Sequence, residues 1–320
     1  MTQVILATQC VGRHKATGFP PPWHPQGVDR MNPNIEPVAT SGSGPSLSEL
    51  LRPLVGSNST VERPDGTTLH VIEEGTGPDV LLVHGFGVSA DSWSLVQPDL
   101  VDLGRRVVAY DQRAHGQSSC GSSGIGSRQL FDDLHAVAAA TNITDGTLVC
   151  HSMGNFVGLG ALADEGFSRR FKRAVLVAPV TGHSSKGAPV ARFQGPLIEY
   201  GVAQALARRP RIGRSLAAAS LGPGVSADVL EATRQVLTEV PMSASPYLGL
   251  LRRESVEDIL AKITVPLHIL TGTADRTTPA WHAELIAARA AHAHIETVPD
   301  AAHMLNWEAP ERVVRAIIAD

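Results

Sequence analysis

The chain has 320 residues, 43% of them hydrophobic and 18% charged, with a formal net charge of -4. These values describe an ordinary globular protein with room for one large or two small domains. The slight acidity removes the electrostatic case for a nucleic-acid partner. No run reaches the roughly 18 consecutive apolar residues of a membrane helix. Met1 to Cys10 lacks the basic flank and cleavage site of a secretion signal. Three cysteines, Cys10, Cys120 and Cys150, are too few and too uneven for a disulfide framework. A reducing, cytoplasmic setting is expected.

Residues 1 to 58 are rich in Pro, Gly, Ser and Asn, as in Pro20-Pro21-Pro22 and Ser41-Gly42-Ser43-Gly44-Pro45. They sustain no hydrophobic period, so a flexible extension is expected, with a docking arm as the alternative. Within it, Leu47, Leu50, Leu51 and Leu54 space a short amphipathic turn or two. From Val61 onward strands and helices alternate. Val61 to Arg63 and Thr68 to Ile72 flank an Asp65-Gly66 turn and read as a hairpin. Further strands are expected at Val80-Val83, Val107-Tyr110, Thr147-Cys150, Ala174-Ala178, Leu267-Thr271 and His294-Val298. Helical spacing appears at Gln129-Ala140, Phe156-Leu162, Trp281-Ala291 and Ala309-Ala319. This rhythm implies an α/β fold: a mostly parallel sheet of about eight strands with helices on both faces. Between Ala178 and Leu267 no strand signal occurs. Helical pieces stand there instead, at Leu197-Ala207, at Ser226-Val240 with Ser226 as N-cap, and at Ser255-Lys262.

Four segments carry chemistry. Cys150-His151-Ser152-Met153-Gly154 joins a strand to a helix and matches the nucleophile elbow G-x-S-x-G, with cysteine in place of the first glycine. His84-Gly85-Phe86-Gly87 follows the strand at Val80-Val83. Asp275 follows the strand at Leu267-Thr271, and Pro299-Asp300-Ala301-Ala302-His303 follows the last strand. The chain order is serine, acid, histidine. No H-E-x-x-H, paired-cysteine spacing or dinucleotide fingerprint is present, so neither a metal nor another cofactor is expected.

With these segments in this order, residues 60 to 320 resemble the α/β-hydrolase family. Asp111-Gln112-Arg113-Ala114-His115-Gly116-Gln117-Ser118 is similar to its D-x-R-G-H-G-x-S turn, with Ala114 replacing a glycine. The resemblance implies Ser152 as nucleophile, His303 as general base and acid, and Asp275 as the orienting carboxylate. Asp275 read alone could instead be a loop residue capping a helix near Thr277-Thr278-Pro279. An oxyanion hole would come from the backbone N–H groups of Phe86 and Met153. His84, His115 and His151 are expected to shape their loops by hydrogen bonding. The family carries a helical lid after the sixth strand. This implies a lid at 181–255 between core segments 59–180 and 256–320. The lid is poor in aromatics apart from Phe193, Tyr200 and Tyr247. Its basic cluster, Arg208, Arg209, Arg211 and Arg214, is expected to be a solvated face.

The implied activity is hydrolysis of a carboxylic ester, lactone or thioester of a small to medium apolar substrate through an acyl-enzyme. C–C bond hydrolysis, perhydrolysis, cyanohydrin cleavage and acyl transfer use the same three residues and stay open. So does a slow-turnover ligand receptor. The partner is then a small molecule, and the sequence leaves the oligomeric state open.

Overall fold

The computed structural model describes residues 44–184 and 197–319. Eight strands form one sheet: β1 (Ser57–Glu62), β2 (Thr68–Glu74), β3 (Asp79–Val83), β4 (Arg106–Tyr110), β5 (Gly146–His151), β6 (Phe171–Val177), β7 (Leu267–Gly272) and β8 (Ala293–Val298). Their order is β1-β2-β4-β3-β5-β6-β7-β8. β1 and β2 form the antiparallel hairpin, β2 pairs antiparallel with β4, and β3 to β8 run parallel.

Alternation along a strand sends successive side chains to opposite faces. Leu81, Val83, Leu148, Cys150, Leu176 and Ile269 join one buried cluster, and Val80, Leu82, Val149, Val175, Val177 and Leu270 join the other. Both faces are therefore covered, as a parallel sheet requires. Helices Ser127–Ala140, Met153–Leu162 and Trp281–Arg289 supply residues to the first cluster. Helices Val96–Asp102 and Pro310–Ile318 supply the second. The carboxyl ends of the parallel strands are left for loops, which carry the residues of interest.

Between β6 and β7 the described chain is helical, with helices Val202–Ala207, Pro210–Ala218, Ala227–Glu239 and Pro246–Arg253 and a 3₁₀ turn at Glu257–Lys262. Ser226 caps the third of these, its hydroxyl accepting from Val229 N at 3.2 Å. The second and fourth escaped the sequence reading because each holds a glycine and opens on a proline. Proline at the first helical position is compatible with a helix, since its missing N–H would be unpaired there anyway. The insertion leaves and returns at one neck, where Gly182 and Ser255 form an antiparallel bridge. Arg208, Arg209, Arg211 and Arg214 are exposed, with Arg214 paired to Glu231 at 3.0 Å. Tyr200 is exposed, Tyr247 is buried and donates to the Arg113 carbonyl, and Phe193 lies outside the described residues.

Residues 1 to 43 of the expected flexible extension also lie outside the described residues. From residue 44 the expectation is corrected. Ser46 and Glu49 form a reciprocal capping box around a short helix, Leu47–Leu50. Leu50 is buried with Leu221, Val229 and Trp307. Leu47 N donates to Asp228 at 3.1 Å, whereas Leu54 N and Val55 N donate to Asp91 and Gln97 of the core. This segment thus straps the helical insertion to the core; the leucine spacing marks its turn but not what the turn packs against. Leu50→Ala should destabilise the protein by about 2–4 kcal/mol, measured by urea denaturation. A change below about 0.5 kcal/mol, ordinary for a surface site, would contradict the strap.

Candidate active site

β5 ends at His151, and Ser152 turns the chain into the helix Met153–Leu162 with φ 52° and ψ -119°. A side chain in this conformation costs on the order of 1–3 kcal/mol, so it persists only where its surroundings fix it. Three contacts do so. Ser152 N donates to Val177 O at 3.0 Å, and Asn155 Nδ2 donates to Ser152 O and Val177 O at 3.0 and 2.9 Å. Gly154 lets the helix approach β3 so closely that a Cβ would lie 2.6 Å from Val83 O. The cysteine that replaces the first elbow glycine is accommodated one turn further on, where a methyl group at Gly158 would overlap the Cys150 sulfur.

Ser152, His303 and Asp275 form one hydrogen-bonded chain. Ser152 Oγ lies 2.9 Å from His303 Nε2, and His303 Nδ1 lies 3.0 Å from Asp275 Oδ2. A carboxylate only accepts, so Nδ1 carries the proton and Nε2 is free to accept from the serine hydroxyl. Asp275 is almost wholly buried, its side chain 1% exposed. Burial pushes its pKa up, but the facing His303 charge and the bonds from His303 and Thr278 outweigh this and leave it lowered. Its other oxygen accepts from Thr277 N and Thr278 N at 2.8 and 2.9 Å. One side chain thus caps the turn at Thr277 and Thr278 and meets the His303 ring.

The loop holding His303 is bonded at Ala302, His303 and Met304. His303 N donates to Ser220 O of the insertion at 3.1 Å, and His151 Nε2 donates to His303 O at 2.9 Å. Glu308 accepts from Ala302 N and Met304 N on the loop and from Gly222 N on the insertion, at 3.0, 2.9 and 2.7 Å. Burial raises the Glu308 pKa against the lowering effect of these three bonds. Sequence reading gave no role to Glu308 or to Asn155. The signal for Asn155 was a lone amide in an otherwise apolar helix, Met153 to Leu162.

A cavity of about 210 Å³ opens at Ser152 and His303, with Phe86, Met153, Val180, Leu216, Val240 and Leu251 among its walls. The five residues expected at the site thus line it or, for Asp275, stand directly behind it. Met153 N is the first N–H of its helix, where no intrahelical partner exists. Neither it nor Phe86 N donates a hydrogen bond among the described residues. No group of three or more His, Cys, Asp or Glu side chains with metal-binding arrangement occurs among those residues.

A family model described as the alpha/beta hydrolase family matches residues 80–316. The chain belongs to the alpha/beta hydrolase family. This alpha/beta hydrolase is 28% identical over 255 residues to a non-heme haloperoxidase of Rhodococcus erythropolis, covering 76% of this chain and 92% of that one. It is 24% identical over 268 residues to (E)-2-((N-methylformamido)methylene)succinate hydrolase of Acinetobacter baylyi, covering 82% and 97%. Its fold is similar to that of an esterase from Exiguobacterium antarcticum, with TM-score 0.71, 20% identity and coverage of 82% and 98%.

Three further histidines of this hydrolase build the loops around the site. His84 Nε2 accepts from Gln112 N at 2.9 Å while Nδ1 donates to Gly85 O at 2.7 Å. His115 Nε2 accepts from Gly87 N at 3.1 Å. Burial holds the pKa of His84 down and takes that of His115 to about 3, aided by nearby His84. Burial and the neighbouring His303 lower His151 likewise to about 3. The unfolded chain would protonate all three below about pH 6.5, whereas the folded one keeps them neutral. Stability is therefore full above that pH and falls as pH drops below it, by up to about 1.4 kcal/mol per pH unit for each of His115 and His151 down to about pH 3. Urea denaturation at pH 7, 6 and 5 should show this slope, and His115→Gln should remove one share of it. Equal stability at pH 7 and 5 would contradict the buried neutral rings.

Proposed function

We propose that this protein is a serine hydrolase that cleaves a carboxylic ester, lactone or thioester of a small to medium apolar acyl group. The observation that carries the reading is the hydrogen-bonded chain from Asp275 through His303 to Ser152, opening into an apolar cavity. His303 takes the Ser152 proton as the oxygen attacks the substrate carbonyl. The tetrahedral oxyanion is met by the N–H groups of Phe86 and Met153. His303 then gives its proton to the leaving alcohol or thiol, and an acyl-Ser152 ester remains. Water, activated by the same histidine, attacks that ester and releases the acid. Asp275 holds the ring in the required tautomer and stabilises its cation.

The walls favour apolar acyl groups, and the modest volume lies below the 300–1,000 Å³ of common ligand pockets, which favours short ones. The helices at 197–253 act as the lid over this cavity in this reading, with 181–255 as its bounds. The two described cysteines, Cys120 and Cys150, are free thiols, in keeping with a cytoplasmic location. A second reading is favoured by the likeness to a non-heme haloperoxidase: hydrogen peroxide would replace water in the second step and release a peracid.

Intact-mass analysis after fluorophosphonate treatment tests the mechanism. One adduct is expected on the wild type and none on Ser152→Ala. His303→Ala should lose on the order of 10⁶-fold in kcat. A folded wild type that takes no label would sink the proposal, and assaying the labelled enzyme's parent with and without peroxide separates hydrolysis from peracid release.

A further inference from the structure

The cavity wall holds one formally charged side chain among its described lining residues: Arg252. It stands near the carboxyl end of the helix Pro246–Arg253, next to Leu251 and one turn after Leu248, both apolar residues of the same wall. Its guanidinium pairs with Glu199, and this is its only hydrogen bond among the described residues. The two side chains are 31% and 25% exposed. A pair this exposed contributes roughly 0–1 kcal/mol to stability, so folding gives little reason for a long charged side chain in an otherwise apolar wall. Polar groups in such walls usually orient a ligand.

We propose that Arg252 is a specificity residue that binds an oxygen on the substrate's acyl chain, remote from the reacting carbonyl. This rests on the hydrolase reading of Ser152. An arginine offers five N–H donors in a planar fork, and one contact to Glu199 leaves others for a ligand. Glu199 decides what kind of oxygen is accepted. A carboxylate on the substrate would meet a like charge beside its partner, which is unfavourable. An uncharged carbonyl oxygen of a ketone, amide or second ester accepts from Arg252 without that repulsion. The acyl group is therefore short, apolar along most of its length, and carries one uncharged acceptor near its far end. The remaining polar wall groups, such as Thr233 and Ser184, are hydroxyls and oppose neither class of oxygen.

Methyl pentanoate, methyl 4-oxopentanoate and monomethyl succinate are matched in length and differ in the distal group. Their kcat/KM values should be compared on the full-length wild type, Arg252→Met, Arg252→Lys and Glu199→Gln, with melting curves as folding controls. The oxo ester should exceed the plain ester by about tenfold in the wild type, the scale of one hydrogen bond to a charged donor. That ratio should fall towards that of the uncatalysed esters in Arg252→Met and be partly kept in Arg252→Lys. Glu199→Gln should raise monomethyl succinate relative to the other two. The readout is a ratio within each enzyme, so a change in overall rate does not enter it. Turnover of the plain ester with no oxo preference, or a preference unchanged in a folded Arg252 variant, overturns the assignment of Arg252 alone. Failure to turn over any of the three, in an enzyme that also takes no fluorophosphonate, overturns the hydrolase reading and this inference with it.

Discussion

Ser152 occupies a left-handed backbone position that a side chain avoids when it is free to choose. The neighbouring structure can be understood as what keeps it there. β5 and the helix behind the serine must approach β3 and β6 closely enough for Ser152 N and the Asn155 amide to reach Val177 O. That approach needs glycine at 154, where any side chain would meet the carbonyls of Val83 and His84. It also needs short, densely packed strands, since a shift of even a few tenths of an ångström would loosen the bonds that oppose the strain. The central parallel strands with fully buried faces supply that rigidity.

The second half of the site depends on the first through His151. Its Nε2–H bonds the carbonyl of His303, so the elbow and the histidine loop are joined by a direct link as well as by the serine–histidine contact. The insertion contributes to the same loop: Ser220 accepts from its backbone and Gly222 shares the Glu308 carboxylate. The insertion therefore helps hold the imidazole in place through the loop that carries Ser220 and Gly222. The strap at Leu47–Leu50 then has a role at a distance, because Leu50 packs in the same cluster as Met304 and Trp307, which line the cavity.

Much of this was legible in the sequence. Short apolar runs such as Val80-Val83 and Thr147-Cys150 became strands because a buried parallel strand has few other ways to be written. Ser152, Asp275 and His303 stand out because each follows such a run, and the structure brings them within hydrogen-bonding distance of one another. What escaped was of two kinds. The helices at 210–218 and 246–253 were hidden by proline and glycine, which read as breakers until the proline is recognised at a helix start. Asn155, Glu308 and the strap work through backbone groups of residues far away in sequence. Glu308 reaches back to Gly222 and Asn155 forward to Val177. Pattern and spacing carry local information, and such long-range pairings leave almost no trace in it.

The sulfur at position 150 and the bare backbone at 158 occupy complementary space. Each makes sense only in the presence of the other. Exchanging the cysteine for glycine by itself would open a void beneath the elbow, and enlarging residue 158 by itself would collide with the thiol. The two positions thus behave as one unit of volume divided between a strand and a helix. A glycine at 150 would leave room for a larger residue at 158, whereas the cysteine confines position 158 to glycine. The departure from the usual motif is therefore a change of packing partner, eight residues away, that leaves the turn itself intact.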